Sequence, residues 1–381
     1  MTQSLWQNSI VAHTPWECDV AIVGAGLAGL SLAYWLKTYQ PATRITVIEA
    51  ESVAHGASGR NAGFNTAGST FYLAQLAQKY GATEAAAYWD FKQESLRLMR
   101  EHLFARFKVD QQFWGSTTLY REEKQRLEHQ SLLESMKVAG LSVVKETGFK
   151  GVASGLSFAQ EGCLHPVKLL NALAEHLQSL GVSFRTQEAV AWGESAGKKV
   201  RLQCARSVGE ASHVFLALNG YAGQFHPSLT AWVAPKRAQM VALAGGQQKL
   251  VGNFYDPAHK VYFRQDAQTG AMLVGGMRLI DEAAENSEFD KATQTIQTAL
   301  QNYLQDLFGE SFSVQARWSG VMGFTPEERP YVRAVPFMPH TTFVGGFSGH
   351  GMGLAFGTAH EAVERFFGRT TRFADILPRP S

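Results

Sequence analysis

The stretch VGAGLAG, Val23–Gly29, stands between a short apolar run, DVAIV, and a string of good helix formers, LAGLSLAYWLK. An apolar run of that length ending at glycine reads as a buried strand, and the glycines Gly24, Gly26 and Gly29 have the GxGxxG spacing. A second apolar strand, RITVIEA, ends in Glu49, about 20 residues after Gly29. Spacing alone is weak, because any α/β protein can carry a glycine-rich turn. The strand before it, the helix after it and the acid beyond make it a dinucleotide site. Gly24 permits the tight turn, Gly26 lets a pyrophosphate reach the backbone, and Gly29 lets helix and strand pack closely. The helix start offers free N–H groups and a partial positive charge to phosphate. Glu49 would accept hydrogen bonds from the adenosine ribose.

A second glycine-dense run, FVGGFSGHGMG, lies at Phe343–Gly353, near the other end of the 381 residues. Glycine weakens a strand or helix, so this density marks another close approach to backbone. A third run of small residues, HGASGRNAGF, occupies His55–Phe64 directly after the second strand.

Several classes of function fall away. The net charge is +2 with no block of Lys or Arg, which gives no footprint for nucleic acid. Cys18, Cys163 and Cys204 are far apart, with no CxxC, so neither a zinc site nor a disulfide framework is indicated, and no metal is expected. The first 17 residues lack a basic start and an apolar core, unlike a secretory signal. The uncharged stretch Val20–Leu36 is at the lower limit of membrane-spanning length and is broken by structured glycines. A cytoplasmic setting without an integral membrane segment is the expectation.

Three features together, the fingerprint, GASGRNAGFN and the terminal GGFSGHGM, resemble the D-amino-acid-oxidase superfamily of FAD enzymes. The wording of the second, and LWQNS at Leu5–Ser9, resembles its γ-glutamylputrescine-oxidase branch. The resemblance covers nearly the whole chain and implies FAD as cofactor. It assigns the first glycine loop (Gly24, Ala25, Gly26, Leu27, Ala28, Gly29) and Glu49 with Ala50 to the adenosine diphosphate. Ala57, Ser58, Arg60, Asn61, Ala62 and Gly63 would run beside the diphosphate and the flavin ring. For Arg60 a solvated loop charge is the alternative, although an arginine near a diphosphate has a clear electrostatic purpose. Val190 would bring backbone to the adenine. Asn219 and Gly220 would lie at the edge of the cofactor site or form an ordinary turn. Gly346, Phe347, Ser348, Gly349, His350, Gly351 and Met352 would close on the flavin, with the following helix pointing its N-terminus at the N1–O2 edge. Negative charge gathers there on reduction, and a helix N-terminus stabilises it. Both glycine loops would thus grip one long cofactor.

The expected fold class is α/β, with a Rossmann-type FAD-binding domain interleaved with an α+β substrate domain that carries a mostly antiparallel sheet. Residues 1–86, 160–225 and 318–381 are assigned to the former, and 87–159 with 226–317 to the latter. The stretch from about Leu73 to Lys145 reads as mostly helical. QMVALA, KVYFRQ and AMLVGGMRL read as strands, and KATQTIQTALQNYLQDLF as a helix among them.

Departures from the family pattern bear on the substrate. Sarcosine oxidases attach flavin through a cysteine where this chain has Gly320 and Val321, so FAD is expected to be non-covalent. Met322 stands where glycine oxidases have a carboxylate-binding arginine, and Gly353 where sarcosine oxidases have a lysine. Without these clamps, an amine lacking an α-carboxylate is favoured over a small amino acid. Arg278 or Arg264 could supply a clamp in new geometry, or be solvated strand-end charges. A neutral amine delivering hydride to flavin N5 gives an imine, and oxygen then gives hydrogen peroxide. The alternatives are a dehydrogenase using another acceptor and a flavin-containing subunit of a larger complex. His350 could tune the amine or flavin, or simply cap the turn. Tyr262 and Trp318 could wall the substrate pocket or pack in the core.

Overall fold

The structure, a computed structural model, describes residues 14–377 apart from Glu146 and Gln248. LWQNS at Leu5–Ser9 therefore lies outside the described residues.

Two eight-stranded sheets organise the chain. The first is built on β1 (Thr14–Val23) and β2 (Ile45–Ile48), joined by α1 (Leu27–Tyr39) as the apolar runs predict. β1 also pairs in parallel with β11 (Ser207–Leu216), β2 with β8 (Ser183–Arg185), and β11 with β18 (Thr341–Gly345). β17 (Tyr331–Ala334) adds an antiparallel edge, and β9 (Val190–Ala196) with β10 (Lys199–Cys204) form a hairpin on β11. One face of this sheet packs on α1, α3 (Ala82–Met99), α5 (Pro166–Ser179) and α9 (Gly351–Phe366) through Ile22, Leu30, Val47, Phe91, Leu170 and Phe356. Its other face buries Ala21, Val23, Leu202, Leu216 and Phe343, with α6 (Ala222–Phe225) alongside.

The second sheet has the order β16-β12-β15-β14-β13-β4-β6-β5. Its strands are β16 (Ser313–Phe324), β12 (Ala234–Ala244), β15 (Met272–Gly276), β14 (Val261–Gln265), β13 (Asn253–Asp256), β4 (Ser116–Tyr120), β6 (Ser154–Phe158) and β5 (Leu141–Val144). All its pairings are antiparallel except that of β13 with β4. Alternation sorts its residues cleanly. Val241, Leu243, Phe263 and Val274 pack under α8 (Gln294–Phe308) against Ile296, Leu300 and Leu304. The opposite face carries Lys236, Met240, Tyr262, Met322 and Phe324, and it meets the loops of the first half. A two-stranded ribbon, β3 (Phe64–Asn65) with β7 (Gly162–Cys163), lies at that junction.

The stretch from about Leu73 to Lys145 is mostly helical, as expected, through α2 (Thr70–Tyr80), α3 and α4 (Glu123–Ser135), with Ser116–Tyr120 and Leu141–Val144 as strands of the second sheet between and after them. The expected borders at 86/87 and 317/318 fall within α3 and β16, and α3 packs with α1 and α9 in the first core. Among the described residues, no helix is long and apolar enough to cross a membrane.

Candidate functional site

The first glycine loop is fixed from three sides. Gly24 has φ +108°, and a Cβ there would sit 2.7 Å from the Ala217 carbonyl oxygen. A Cβ on Gly29 would sit 1.9 Å from the Gly24 carbonyl oxygen, so helix and turn touch backbone to backbone. α1 begins at Gly26 with no capping side chain and no acid in its first turn, which leaves the positive end of its dipole for an outside anion. Ala25 and Leu27 have their N–H groups engaged, donating to Glu49 Oε2 (2.8 Å) and Ser58 Oγ (3.0 Å). Glu49 also accepts from Glu51 N (3.0 Å), so its carboxylate joins the glycine loop to the turn after β2, which includes Ala50. Ala28, predicted from the same loop, is in the first turn of α1. Val190 begins β9 opposite Cys204 and packs against the second core, while Glu188 N donates to the Glu49 carbonyl (2.9 Å).

The segment after β2 folds on itself. Asn61 Nδ2 donates to the carbonyls of Ala57 and Ser58 (3.1 and 2.7 Å), and its Oδ1 accepts from Gly63 N (2.7 Å). Arg60 is not a solvated charge. Its guanidinium donates to the carbonyls of His55 (2.6 Å) and Ser319 (3.1 Å) and pairs with Asp290 (2.7 Å). Trp318 Nε1 donates back to the Arg60 carbonyl (2.8 Å), so Trp318 is a tie between β16 and this loop. Arg264 is a second tie: it is buried, and its Nε donates to the Ala62 carbonyl (2.6 Å) while Nη1 faces Asp266 (3.4 Å). The expectation that Arg264 could act as a substrate clamp or a solvated strand end is corrected accordingly.

The second glycine loop reaches the same place from the far end of the chain. Asn219, with φ +46°, accepts from Gly346 N through Oδ1 (3.0 Å), and Gly220 lies against the Met322 carbonyl. Ser348 N donates to the Gly323 carbonyl (2.8 Å). Phe347 and Met352 are buried in the first core, and Gly349 lies beside Met322 and Phe324. α9 starts at His350 and Gly351, again without a capping side chain or a first-turn acid. His350 donates from Nδ1 to the Ser348 carbonyl (3.0 Å) and stacks on Tyr72, with ring centroids 4.3 Å apart. Burial, reinforced by the charge of Lys92, holds the imidazole well below its ordinary pKa, so it stays neutral with a lone pair on Nε2. Its role as turn cap and its place at the site are thus compatible.

Sequence reasoning missed a buried polar cluster next to this loop. Lys92 is 1% exposed, and its Nζ has no hydrogen-bond partner, lying 4.3 Å from the Tyr72 ring centroid and 5.0 Å from that of Tyr88. Burial pulls its pKa down to about 7. Burial pushes Glu161 up to about 8; its Oε1 accepts from Ala67 N (2.7 Å), while Oε2 has no partner. Both amide atoms of Asn65 are also buried and unpaired. Lys92 was visible in principle, because helical spacing places it with Tyr88, Leu96 and Met99 on the apolar face of α3. Glu161 depends on the non-local pairing of β3 with β7 and gave no local signal.

On the sheet face, Tyr262 lies 5.9 Å from Phe64, ring to ring, and burial raises its pKa to about 12, so it remains a neutral phenol. Arg278 follows β15 and lies over the Phe324 ring. An extended dinucleotide fits these features. Two helix starts whose N-cap residues supply no capping side chain come from opposite ends of the chain, and buried polar atoms of Asn65, Lys92 and Glu161 lack partners.

A profile of the FAD dependent oxidoreductase family matches residues 19–365. The chain belongs to this family. It is therefore an FAD-dependent oxidoreductase, as the motifs implied. It is 26% identical over 384 residues to a probable oxidoreductase OrdL of Rhizobium meliloti, covering 95% of this chain and 85% of that one. It is 21% identical over 398 residues to a gamma-glutamylputrescine oxidoreductase of Escherichia coli, covering 98% and 90%. Among solved structures, glycine oxidase from Geobacillus kaustophilus shares the fold with a TM-score of 0.79 at 17% identity, over 95% of this chain and 98% of that one. In this oxidoreductase the family's cofactor, FAD, would be held by Gly24–Gly29, Glu49, the 57–65 segment and the 346–352 loop.

Proposed function

We propose that this oxidoreductase oxidises the C–N bond of an amine or amino acid to an imine, with oxygen as acceptor and hydrogen peroxide as its product. The observation that carries the reading is the junction itself. A neutral histidine stands at the α9 start in a loop whose Gly349 lies beside Met322 and Phe324 of the sheet face, and Arg264, Arg60 and Trp318 tie the 57–63 loop to the same sheet. The names of relatives, a gamma-glutamylputrescine oxidoreductase and a glycine oxidase, support an amine or amino-acid substrate.

FAD, when bound, would supply the electron sink that accepts a hydride. The residues of the chain do the rest. The α9 N-terminus, without a capping side chain or first-turn acid, would stabilise negative charge developing beside it. Neutral His350 can accept a hydrogen bond at Nε2 from a substrate N–H, and the ring is held in orientation by the Ser348 carbonyl and Tyr72. Tyr262 and Met322 on the sheet face exclude water and orient the reacting carbon. The balance is a C–H and an N–H lost as two electrons and two protons; water then hydrolyses the imine, and oxygen takes the electrons to peroxide.

The substrate reading follows from Met322 and Gly353. With no cation at either position, long amines without an α-carboxylate should reduce the protein's FAD faster than glycine, sarcosine or D-alanine, because a remote tail supplies the orienting energy. Anaerobic mixing with that panel tests it. Higher kcat/KM for the small amino acids would overturn it.

A further inference from the structure

Lys92 is a fully buried amine that the chemistry above leaves unused. It stands on α3 one turn after Tyr88, and three parts of the chain meet around it. Gly68, in the turn before α2, has φ +125°, and a Cβ there would lie 3.3 Å from Tyr72 Cδ1, 3.4 Å from Lys92 Nζ and 3.5 Å from His350 Cδ2. α2, α3 and the second glycine loop therefore converge on one glycine. Lys92 Nζ and His350 Cδ2, each about 3.5 Å from that one point, are no more than about 7 Å apart, a separation that one or two waters span. The same turn is pressed against the start of α9, because a Cβ on Gly353 would sit 2.2 Å from the Thr66 carbonyl oxygen.

A structural lysine sends its ammonium to solvent or to a carboxylate. Lys92 does neither, and its Nζ has no hydrogen-bond partner. The groups that face it are Glu161 from the turn between β6 and β7, Glu328 and Arg329 from the turn after β16, Tyr72 on α2, Tyr88 on its own helix, and His350. Glu161 and Glu328 favour its charged form, while burial and Arg329 oppose it, and burial prevails. Glu161 is itself held protonated near neutral pH by burial, and Arg329 is paired with Glu84 (2.7 Å). Lys92 thus keeps a free lone pair near neutral pH, which is the state of a base. His350 cannot fill that part. Its imidazole is held well below its ordinary pKa, and its Nδ1 proton is committed to the Ser348 carbonyl, so it accepts a hydrogen bond at Nε2 without keeping a proton. The Tyr88 hydroxyl and Glu161 Oε2 also lack partners, so polar groups that can hold a bridging water stand beside the amine.

We propose that Lys92 is the buried base that takes the proton an amine must lose before its C–N bond can be oxidised, through water bridging Nζ to the site beside His350. In solution such an amine is an ammonium, which has no lone pair to assist the loss of hydride. One of its N–H groups donates to His350 Nε2. A second N–H bond breaks, and its proton passes through the water to the Lys92 lone pair, where a new N–H bond forms. The substrate becomes a neutral amine and Lys92 an ammonium over the rings of Tyr72 and Tyr88, and no electrons move in this step. The inference rests on the amine reading above for the identity of the proton donor. Lys92 acts from beside His350 and does not touch the reacting carbon.

The test uses the FAD-loaded protein with Lys92→Met, which matches the length of the side chain without its charge, and Lys92→Arg, which cannot give up its proton. Circular dichroism and FAD content report folding. The first measurement is the pH profile of anaerobic FAD reduction by saturating γ-glutamylputrescine. In the unaltered protein the rate should fall as pH drops below about 7, where Lys92 is already protonated. Both variants should be roughly 100-fold slower at pH 8, and Lys92→Met should lose the limb near pH 7. The second measurement is calorimetry in buffers of different ionisation enthalpy. Its probe is γ-glutamylputrescine with two methyl groups on the amine-bearing carbon, which leaves no C–H to oxidise. The unaltered protein should release almost no proton on binding it at pH 8 and about one at pH 6, whereas Lys92→Met should release about one at both. A limb near pH 7 that persists in Lys92→Met, an unchanged rate in that variant, or equal proton release by the two proteins at pH 8 would overturn the proposal. If proton release differs as expected while no amine reduces the FAD, the base stands and the amine-oxidation reading fails.

Discussion

Glu49 offers the sharpest test of how the cofactor is held. Its two carboxylate oxygens accept from Ala25 N at 2.8 Å and Glu51 N at 3.0 Å, so one side chain sets both the glycine loop and the turn after β2. Ala25 is fully buried, and its N–H has no water to turn to. Changing Glu49 to Arg removes both acceptors. The stranded Ala25 donor costs about 1–3 kcal/mol, and loss of a charged acceptor for the ribose hydroxyls about 1.5–3 kcal/mol. A cation near the positive end of α1 adds roughly 0.3–1 kcal/mol. Not all of this falls on binding, because the loop penalty applies to the empty protein too. An FAD affinity at least about 20-fold weaker is the expectation, from the roughly 1.8–4 kcal/mol that falls on binding. Glu49→Gln keeps one acceptor oxygen and should fall between the two. Fluorescence titration of the FAD-free variants reads the affinity, and circular dichroism reports folding. A folded Glu49→Arg protein with unchanged FAD affinity would refute the assignment of the whole fingerprint.

Two further outcomes follow from the same geometry. FAD should leave the protein on acid precipitation, because Gly320 and Val321 offer no thiol and Cys18, Cys163 and Cys204 are buried in β1, β7 and β10; flavin retained by the denatured chain would contradict this. Glu161, raised to about 8 in the folded protein, holds a proton that the unfolded chain releases near pH 4.5, so its contribution to stability is complete below about 4.5 and is lost as pH rises toward 8. Lys92 acts in the opposite direction, but only above about pH 7. Between pH 5 and 7 the unaltered protein should therefore lose roughly 2–3 kcal/mol relative to Glu161→Gln in denaturant unfolding, and parallel pH profiles would refute it.

What the sequence disclosed depended on whether the signal was local. Gly24, Gly29 and Glu49 sit at spacings set by one strand, one turn and one helix, so their geometry could be anticipated. The linkage of Gly346 to Asn219 follows from the pairing of β18 with β11, which joins segments over a hundred residues apart, and sequence left Asn219 open. Arg264 reads as a strand-end charge until the Ala62 carbonyl across the junction is known. Ser116–Tyr120 was obscured by the long helices beside it. Its threonines favour a strand, but its partners β13 and β6 lie far along the chain. Lys92 was legible from helical periodicity. Its proximity to His350 was not, because α3 meets the glycine loop only through tertiary packing.

The central claim, that the junction between the two glycine loops and the second sheet oxidises a C–N bond with FAD, is tested most directly by anaerobic titration of the FAD-loaded protein with γ-glutamylputrescine. The account predicts that flavin absorbance bleaches with one substrate per FAD, that one equivalent each of aldehyde and ammonia appears, and that admitted oxygen restores the colour with one equivalent of hydrogen peroxide. Full bleaching by glycine or sarcosine with no response to any long amine would contradict the substrate reading. A flavin that no amine or amino acid reduces would contradict the claim itself.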